Sequence, residues 1–139
     1  MALHSVDSAE LENIILNLKE NCAVGFDGIS PAIVKATRHT LIPILVFIFN
    51  LSFSIGIFPD VFKTAVIHPI YKSGNKDKVS NYRPISVLST LSKIFEKVIN
   101  HRLTKYLNKF QLLSNNQYGF RSGKSTEDAV LELSNTVIN

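Results

Sequence analysis

The chain has one cysteine, Cys22, in 139 residues. A lone thiol builds no disulfide framework, so a reducing compartment suits it. His4, His39, His68 and His101 have no cysteine or second histidine at ligand spacing. That scatter argues against a metal centre and for surface or helix-face roles. The N-terminus lacks the basic start and short apolar core of a secretory signal. Residues 39–59 contain no Asp, Glu, Lys or Arg. This uncharged run is long enough to raise a transmembrane helix. Asn50, Ser52, Ser54 and Gly56 interrupt its second half, so a buried helix is the better expectation and a membrane partner is not expected.

What is present is enough apolar material to fold. Hydrophobic residues make up 45% of the chain and charged residues 19%, which excludes a disordered polymer. The length fits one domain or a piece of one. Net charge is +4 but unevenly spread. Residues 1–62 carry three Lys/Arg against six Asp/Glu, and residues 125–139 carry three acids and no base. Residues 63–124 carry twelve Lys/Arg against two acids. Such a block reads either as a surface for an anionic partner, nucleic acid first, or as a solvated basic face.

The chain is organised around Lys63 to Ser86. Lys63-Thr-Ala-Val-Ile-His-Pro-Ile-Tyr-Lys72 is β-branched and apolar, a strand signal. Ser73 to Ser80 is a Ser/Gly/Asn/Lys-rich turn, and Asn81-Tyr-Arg-Pro-Ile-Ser86 returns. Pro84 makes the returning arm an edge strand or a short extended piece. Lys72 and Arg83 on such a hairpin could grip a polyphosphate.

Helices fill the rest. Asp7 with Glu10 forms a capping-box pattern ahead of an amphipathic helix over 8–20. Gly25-Phe-Asp-Gly28 is a turn. Ser30-Pro31 caps a short helix to about Arg38, and Thr40 caps the next, with Pro43 in its first turn and Gly56 at its end. From Leu88 to Phe110 an apolar stripe marks a helix. Lys93, Lys97, His101, Lys105 and Lys109 recur every four residues, about 400° of rotation, so the row drifts only about 40° per step. This ridge could follow a nucleic-acid backbone or simply face solvent. Gly123-Lys124-Ser125 is not a P-loop, because Tyr118 stands where that motif needs its first Gly. The stretch reads as a basic, aromatic loop feeding a helix capped by Ser125 with Asp128 at its third position, continued by Ala129, Val130, Leu133 and Val137.

Gly25-Phe-Asp-Gly-Ile29, Gly56-Ile-Phe-Pro59, the Lys63–Lys72 arm, Asn81-Tyr-Arg-Pro-Ile-Ser-Val-Leu88 and Gln117-Tyr-Gly-Phe-Arg121 occur in an order that resembles the N-terminal, fingers portion of non-LTR (LINE-type, jockey-like) retrotransposon reverse transcriptases. The resemblance covers nearly the whole chain. It implies an α+β, mostly helical fingers subdomain of a right-hand polymerase with one β-hairpin, truncated before the palm. Within that single partial domain, residues 1–62 form a helical part, 63–86 the hairpin, and 87–139 the basic helix, basic loop and last helix. It implies that Lys72 and Arg83 contact the triphosphate of an incoming deoxynucleotide. More loosely, it places Lys93, Lys97, Lys105, Lys109, Arg121 and Lys124 near an RNA template and DNA primer. The family's palm carboxylates, which hold two divalent metals, have no match here; Asp60, Asp77, Asp128 and Glu132 are isolated. Mg2+ is therefore expected only in a full-length enzyme, with no cofactor in this chain, which alone is expected to be inactive. A non-catalytic RNA/DNA-binding module, a non-functional element remnant, and a membrane or protein-interaction piece are the alternatives. A fingers segment without its palm would expose an apolar face, open to palm docking or self-association.

Overall fold

The computed structural model describes residues 4–138. Its elements are α1 (Ser8–Leu16), α2 (Pro31–Ala36), α3 (Arg38–Ile55), α4 (Asp60–Lys63), β1 (Ala65–Tyr71), a 3-10 turn (Val79–Asn81), β2 (Tyr82–Leu88), α5 (Thr90–Lys109) and α6 (Thr126–Ile138). Helices dominate, and the two strands pair antiparallel in one sheet, so the expected α+β character holds.

The first two helices start at side-chain caps. Asp7 accepts from the Glu10 N–H at 2.8 Å, but the other half of the capping box is not made, because the Glu10 carboxylate is held by Arg102. α1 ends at Leu16, short of the expected residue 20. Asn17 folds back to donate to the Asn13 carbonyl at 2.9 Å, and Leu18 is buried from the turn that follows. Ser30 caps α2 as read, accepting from the Ile33 N–H, with Pro31 at the first position. The next helix begins earlier than expected. Thr37, not Thr40, is the junction; it sits at φ −97°, ψ 8° and its hydroxyl donates to the Ile33 carbonyl at 2.8 Å. Pro43 thus falls inside α3, where it withholds one backbone N–H from the helix. Gly56 ends α3 as read, at φ 70°, its N–H returning to the Ser52 carbonyl.

The chain divides into two compact units, one ending at Arg102 and one beginning at Leu103, with α5 running through the boundary. The first unit has a phenylalanine-rich core. Phe49 stacks on Phe95 at 4.3 Å between centroids, and Phe62 meets both rings edge-on at 6.3 and 6.1 Å. Such pairs are worth about 0.5–1.5 kcal/mol beyond the area they bury. Leu11 and Ile15 of α1, Val34 of α2, and Ile94 and Val98 of α5 are its other fully buried apolar side chains. Asn50 clamps the N-terminal segment, accepting from the Val6 N–H at 2.6 Å and donating to its carbonyl at 2.9 Å.

α3 is the uncharged run, and it is long and apolar enough to cross a membrane by length and composition. The expectation of a buried helix holds on one face only. Ile42, Leu45, Phe49 and Ser52 are buried, whereas Ile44, Phe47, Leu51 and Ile55 form an exposed apolar stripe, Phe47 at 69%.

In the second unit, no described side chain from Leu103 to Val137 is buried. The stripe read along α5 therefore packs only over its N-terminal half, through Ile94, Phe95 and Val98; Leu103 and Phe110 are exposed, as are Val130, Leu133 and Val137 of α6. Periodicity reports which side of a helix is apolar, and burial needs a partner surface as well.

Candidate functional site

The hairpin register is Ala65 to Leu88, Val66 to Val87, and so on to Ile70–Arg83 and Tyr71–Tyr82. The Lys72 N–H continues the ladder, donating to the Asn81 carbonyl at 2.8 Å. Alternate residues of a strand share a face, and so do directly opposed residues. Lys72 lies two residues beyond Ile70, and Arg83 lies opposite Ile70. The two cations are therefore diagonal neighbours on one face of the hairpin. Both are exposed, and among the described residues neither is ion-paired.

Two prolines, Pro69 and Pro84, oppose each other mid-hairpin. Hydrogen-bonded and non-hydrogen-bonded pairs alternate in an antiparallel ladder. With Lys72–Asn81 a bonded pair, Pro69–Pro84 is non-bonded, and the missing N–H groups fall on the outer edges. The ladder survives, and both outer edges resist a further strand.

The opposite face carries two tyrosines that hold the tip. Tyr71 and Tyr82 pack edge-on at 5.7 Å. Their hydroxyls donate into the loop, Tyr71 to the Gly74 carbonyl at 2.5 Å and Tyr82 to the Lys76 carbonyl at 2.9 Å. Asn81 donates to the Asn75 carbonyl at 2.7 Å. Gly74 sits at φ 91°, a conformation that favours glycine, and a Cβ there would stand 2.8 Å from the Asn81 amide and have to displace it.

The other basic residues sit in varied settings. Lys93 is half-buried and donates to the Ala23 carbonyl at 2.9 Å. Lys97 and Lys105 are exposed, and Lys109 lies over the Phe110 ring at 5.5 Å. Arg121 donates to the Ser114 carbonyl at 2.8 Å and, with Leu107, Asn108, Gln111, Leu113 and Asn115, lines a cavity of about 380 Å3. Lys124 donates to the Asn115 carbonyl and stands 4.3 Å over the Tyr118 ring. Neighbouring Phe120 is fully exposed at the left-handed φ of 60°.

The carboxylates are engaged locally. The Lys63 ammonium holds the Asp60 carboxyl below its usual range, by a 2.7 Å hydrogen bond and by charge. Ser125 does the same to Asp128, its hydroxyl and its N–H each donating at 2.8 Å, with Lys124 adding charge. Asp128 in turn receives the helix start as read, its N–H donating to the Ser125 hydroxyl. Among the described residues no group of three or more His, Cys, Asp or Glu gathers at metal-binding distance. These residues do not fit a magnesium centre.

Sequence reasoning missed the root of the hairpin. Ser89, Thr90 and Ser92 are buried, and Ser89 caps α5 by accepting from the Ser92 N–H at 3.0 Å. The pattern Ser89-Thr-Leu-Ser92 ahead of an apolar stripe carried that capping signal.

A paired basic hairpin followed by a long helix and a basic loop coincides with a family match. Residues 70–138 match, and belong to, the family described as reverse transcriptase (RNA-dependent DNA polymerase). The kind is that of non-LTR mobile elements. The chain is 34% identical over 130 residues to a probable RNA-directed DNA polymerase from transposon BS of Drosophila melanogaster, covering 93% of this chain and 14% of that protein. It is 31% identical over 127 residues to one from the X-element (91% and 14%) and 31% over 129 residues to that of mobile element jockey (92% and 14%), both from the same fly. The chain spans about one seventh of each of these relatives.

Proposed function

We propose that this chain is the nucleotide-gripping fingers part of a mobile-element RNA-directed DNA polymerase. Lys72 and Arg83 contact the triphosphate of an incoming deoxynucleotide. The observation that carries this reading is their shared, exposed hairpin face, with no counter-ion among the described residues. Phosphoryl transfer develops charge on phosphate oxygens, and positioned cations stabilise it. Lys supplies a mobile point charge and Arg a planar fork that matches two oxygens at once. Lys93 and Lys97 in the first unit, and Lys105, Lys109, Arg121 and Lys124 in the second, are each read as contacts to a template or primer backbone.

A bound metal pair would supply charge neutralisation and orientation for in-line displacement. Among the described residues no side-chain cluster would hold such a pair, and on this reading the 139-residue chain binds a nucleotide without polymerising. The test has two arms. The purified chain should bind dTTP, and Lys72→Ala and Arg83→Ala should each weaken binding about tenfold or more, the worth of one charge-assisted hydrogen bond. On a primed RNA template it should incorporate nothing. Unchanged dTTP affinity in the double variant, or steady incorporation, would refute the respective arm.

A further inference from the structure

Among the described residues, the hairpin is buried toward its root and exposed beyond it. Residues 67–80 and 83–86 are exposed, Ala65 and Val66 half-buried, and Val87 buried. Both ends of the root converge on the first turn of α5. On the incoming side, the Phe62 carbonyl of α4 accepts from the Ser92 hydroxyl at 2.7 Å. On the outgoing side, the backbone at Leu88–Ser89 presses on Gly25. A Cβ at Gly25 would stand 2.6 Å from the Ser89 Cα and N and 2.8 Å from the Leu88 carbonyl carbon. The same loop is tied twice more, Thr90 donating to the Ile29 carbonyl at 2.6 Å and Lys93 to the Ala23 carbonyl at 2.9 Å. Thr90 and Ser92 are fully buried.

The geometry makes this root a fulcrum. Lys72 is seven residues along the strand from Ala65, about 23 Å at a strand's rise, so a tilt of about 5° at the root carries it about 2 Å. A charge-assisted hydrogen bond spans about 2.7–2.9 Å, so such a displacement breaks it. The hydroxyls are suited to hold the angle, since each satisfies a carbonyl that would otherwise lose its partner in a buried setting.

We propose that Gly25, Thr90 and Ser92 are positioning residues that set where Lys72 and Arg83 stand. The functional half of this statement rests on the reading of the hairpin as a triphosphate grip; the mechanical half does not. The experiment reads both. In the 139-residue chain with Cys22→Ser, spin labels at Ala9→Cys on α1 and Asp77→Cys at the tip report the tip-to-body distance, and dTTP affinity is measured on the same protein. Thr90→Val, which keeps the shape and removes the hydroxyl, should broaden or shift the distance and weaken dTTP about tenfold, as for one lost charge-assisted bond. Thr90→Ser should restore both. Gly25→Ala should move the tip without touching any cation. A merely structural role would lower the melting temperature and leave distance and affinity of the folded chain unchanged, and that result overturns the proposal. If the parent chain binds no dTTP, the triphosphate reading fails while the distances still decide the fulcrum.

Discussion

At the residue scale, Arg102 holds the first unit closed. Its guanidinium meets both Glu10 oxygens, at 3.2 and 2.6 Å, donates to the His4 and Ser5 carbonyls and lies 5.5 Å from the centre of the Phe53 ring. Both side chains are under a fifth exposed, whereas Lys63 and Asp60 are mostly exposed. Breaking a fully buried pair costs about 3–5 kcal/mol and an exposed one about 0–1; the Arg102–Glu10 pair is part-buried and falls between, so Arg102→Ala should cost about 2–3 kcal/mol and Lys63→Ala close to nothing. Urea denaturation of the two variants side by side checks the ranking. Nothing in the sequence announced this pair. Arg102 reads as one more cation in a basic block, and its partner stands 92 residues away. Asp128 gives a pH prediction with a definite sign. Its carboxyl is lowered by Ser125, so its contribution to the start of α6 is present above the ordinary aspartate range and is lost as pH falls through the lowered value. Amide shifts of Thr126–Ala129 should follow that titration in acid, and Ser125→Ala should move the midpoint up toward the ordinary value.

At the element scale, the hairpin was the most legible feature, because a β-branched arm, a turn-rich loop and a proline in the return are local signals. Its register, and hence the shared face of Lys72 and Arg83, is not local. It is fixed by the tip network of Tyr71, Asn75, Asn81 and Tyr82. Gly74 is where that network can be tested. Gly74→Ala places a Cβ against Asn81 in a left-handed turn, so it should cost about 1 kcal/mol locally. Hydrogen exchange at the Lys72 N–H, which closes the ladder on Asn81, should speed up, with the exchange of Val98 in α5 unaffected. Helix boundaries were less legible. α1 stopped early because Asn17 bonds back to Asn13, and α3 began early because Thr37 took the junction that Thr40 was expected to fill. In each case a side chain competed for backbone groups that periodicity does not register.

At the scale of the whole chain, the two units differ in what could make them stable. The first encloses Phe49, Phe95, Leu11, Ile15 and Val98; from Leu103 to Val137 no described side chain is buried. Burying one large apolar side chain is worth about 1.5–3 kcal/mol, and a unit whose described side chains are at most half-buried gains much less of this to set against chain entropy. Isolated helices of 13 residues, the length of α6, are marginal in water. Trypsin should therefore cut first at Lys109, Arg121 and Lys124 and leave a resistant product that retains Lys93 and Lys97. The exposed apolar residues of α6 and the Phe47 stripe of α3 carry the same logic to concentration dependence, since large apolar patches drive association. Light scattering of the purified chain should show self-association that grows with concentration, and Phe47→Glu with Leu133→Glu should suppress it while the resistant product remains. A sharp monomeric melt that includes both units, with all basic sites cut at equal rates, would mean that the second unit draws stability from a source other than burial.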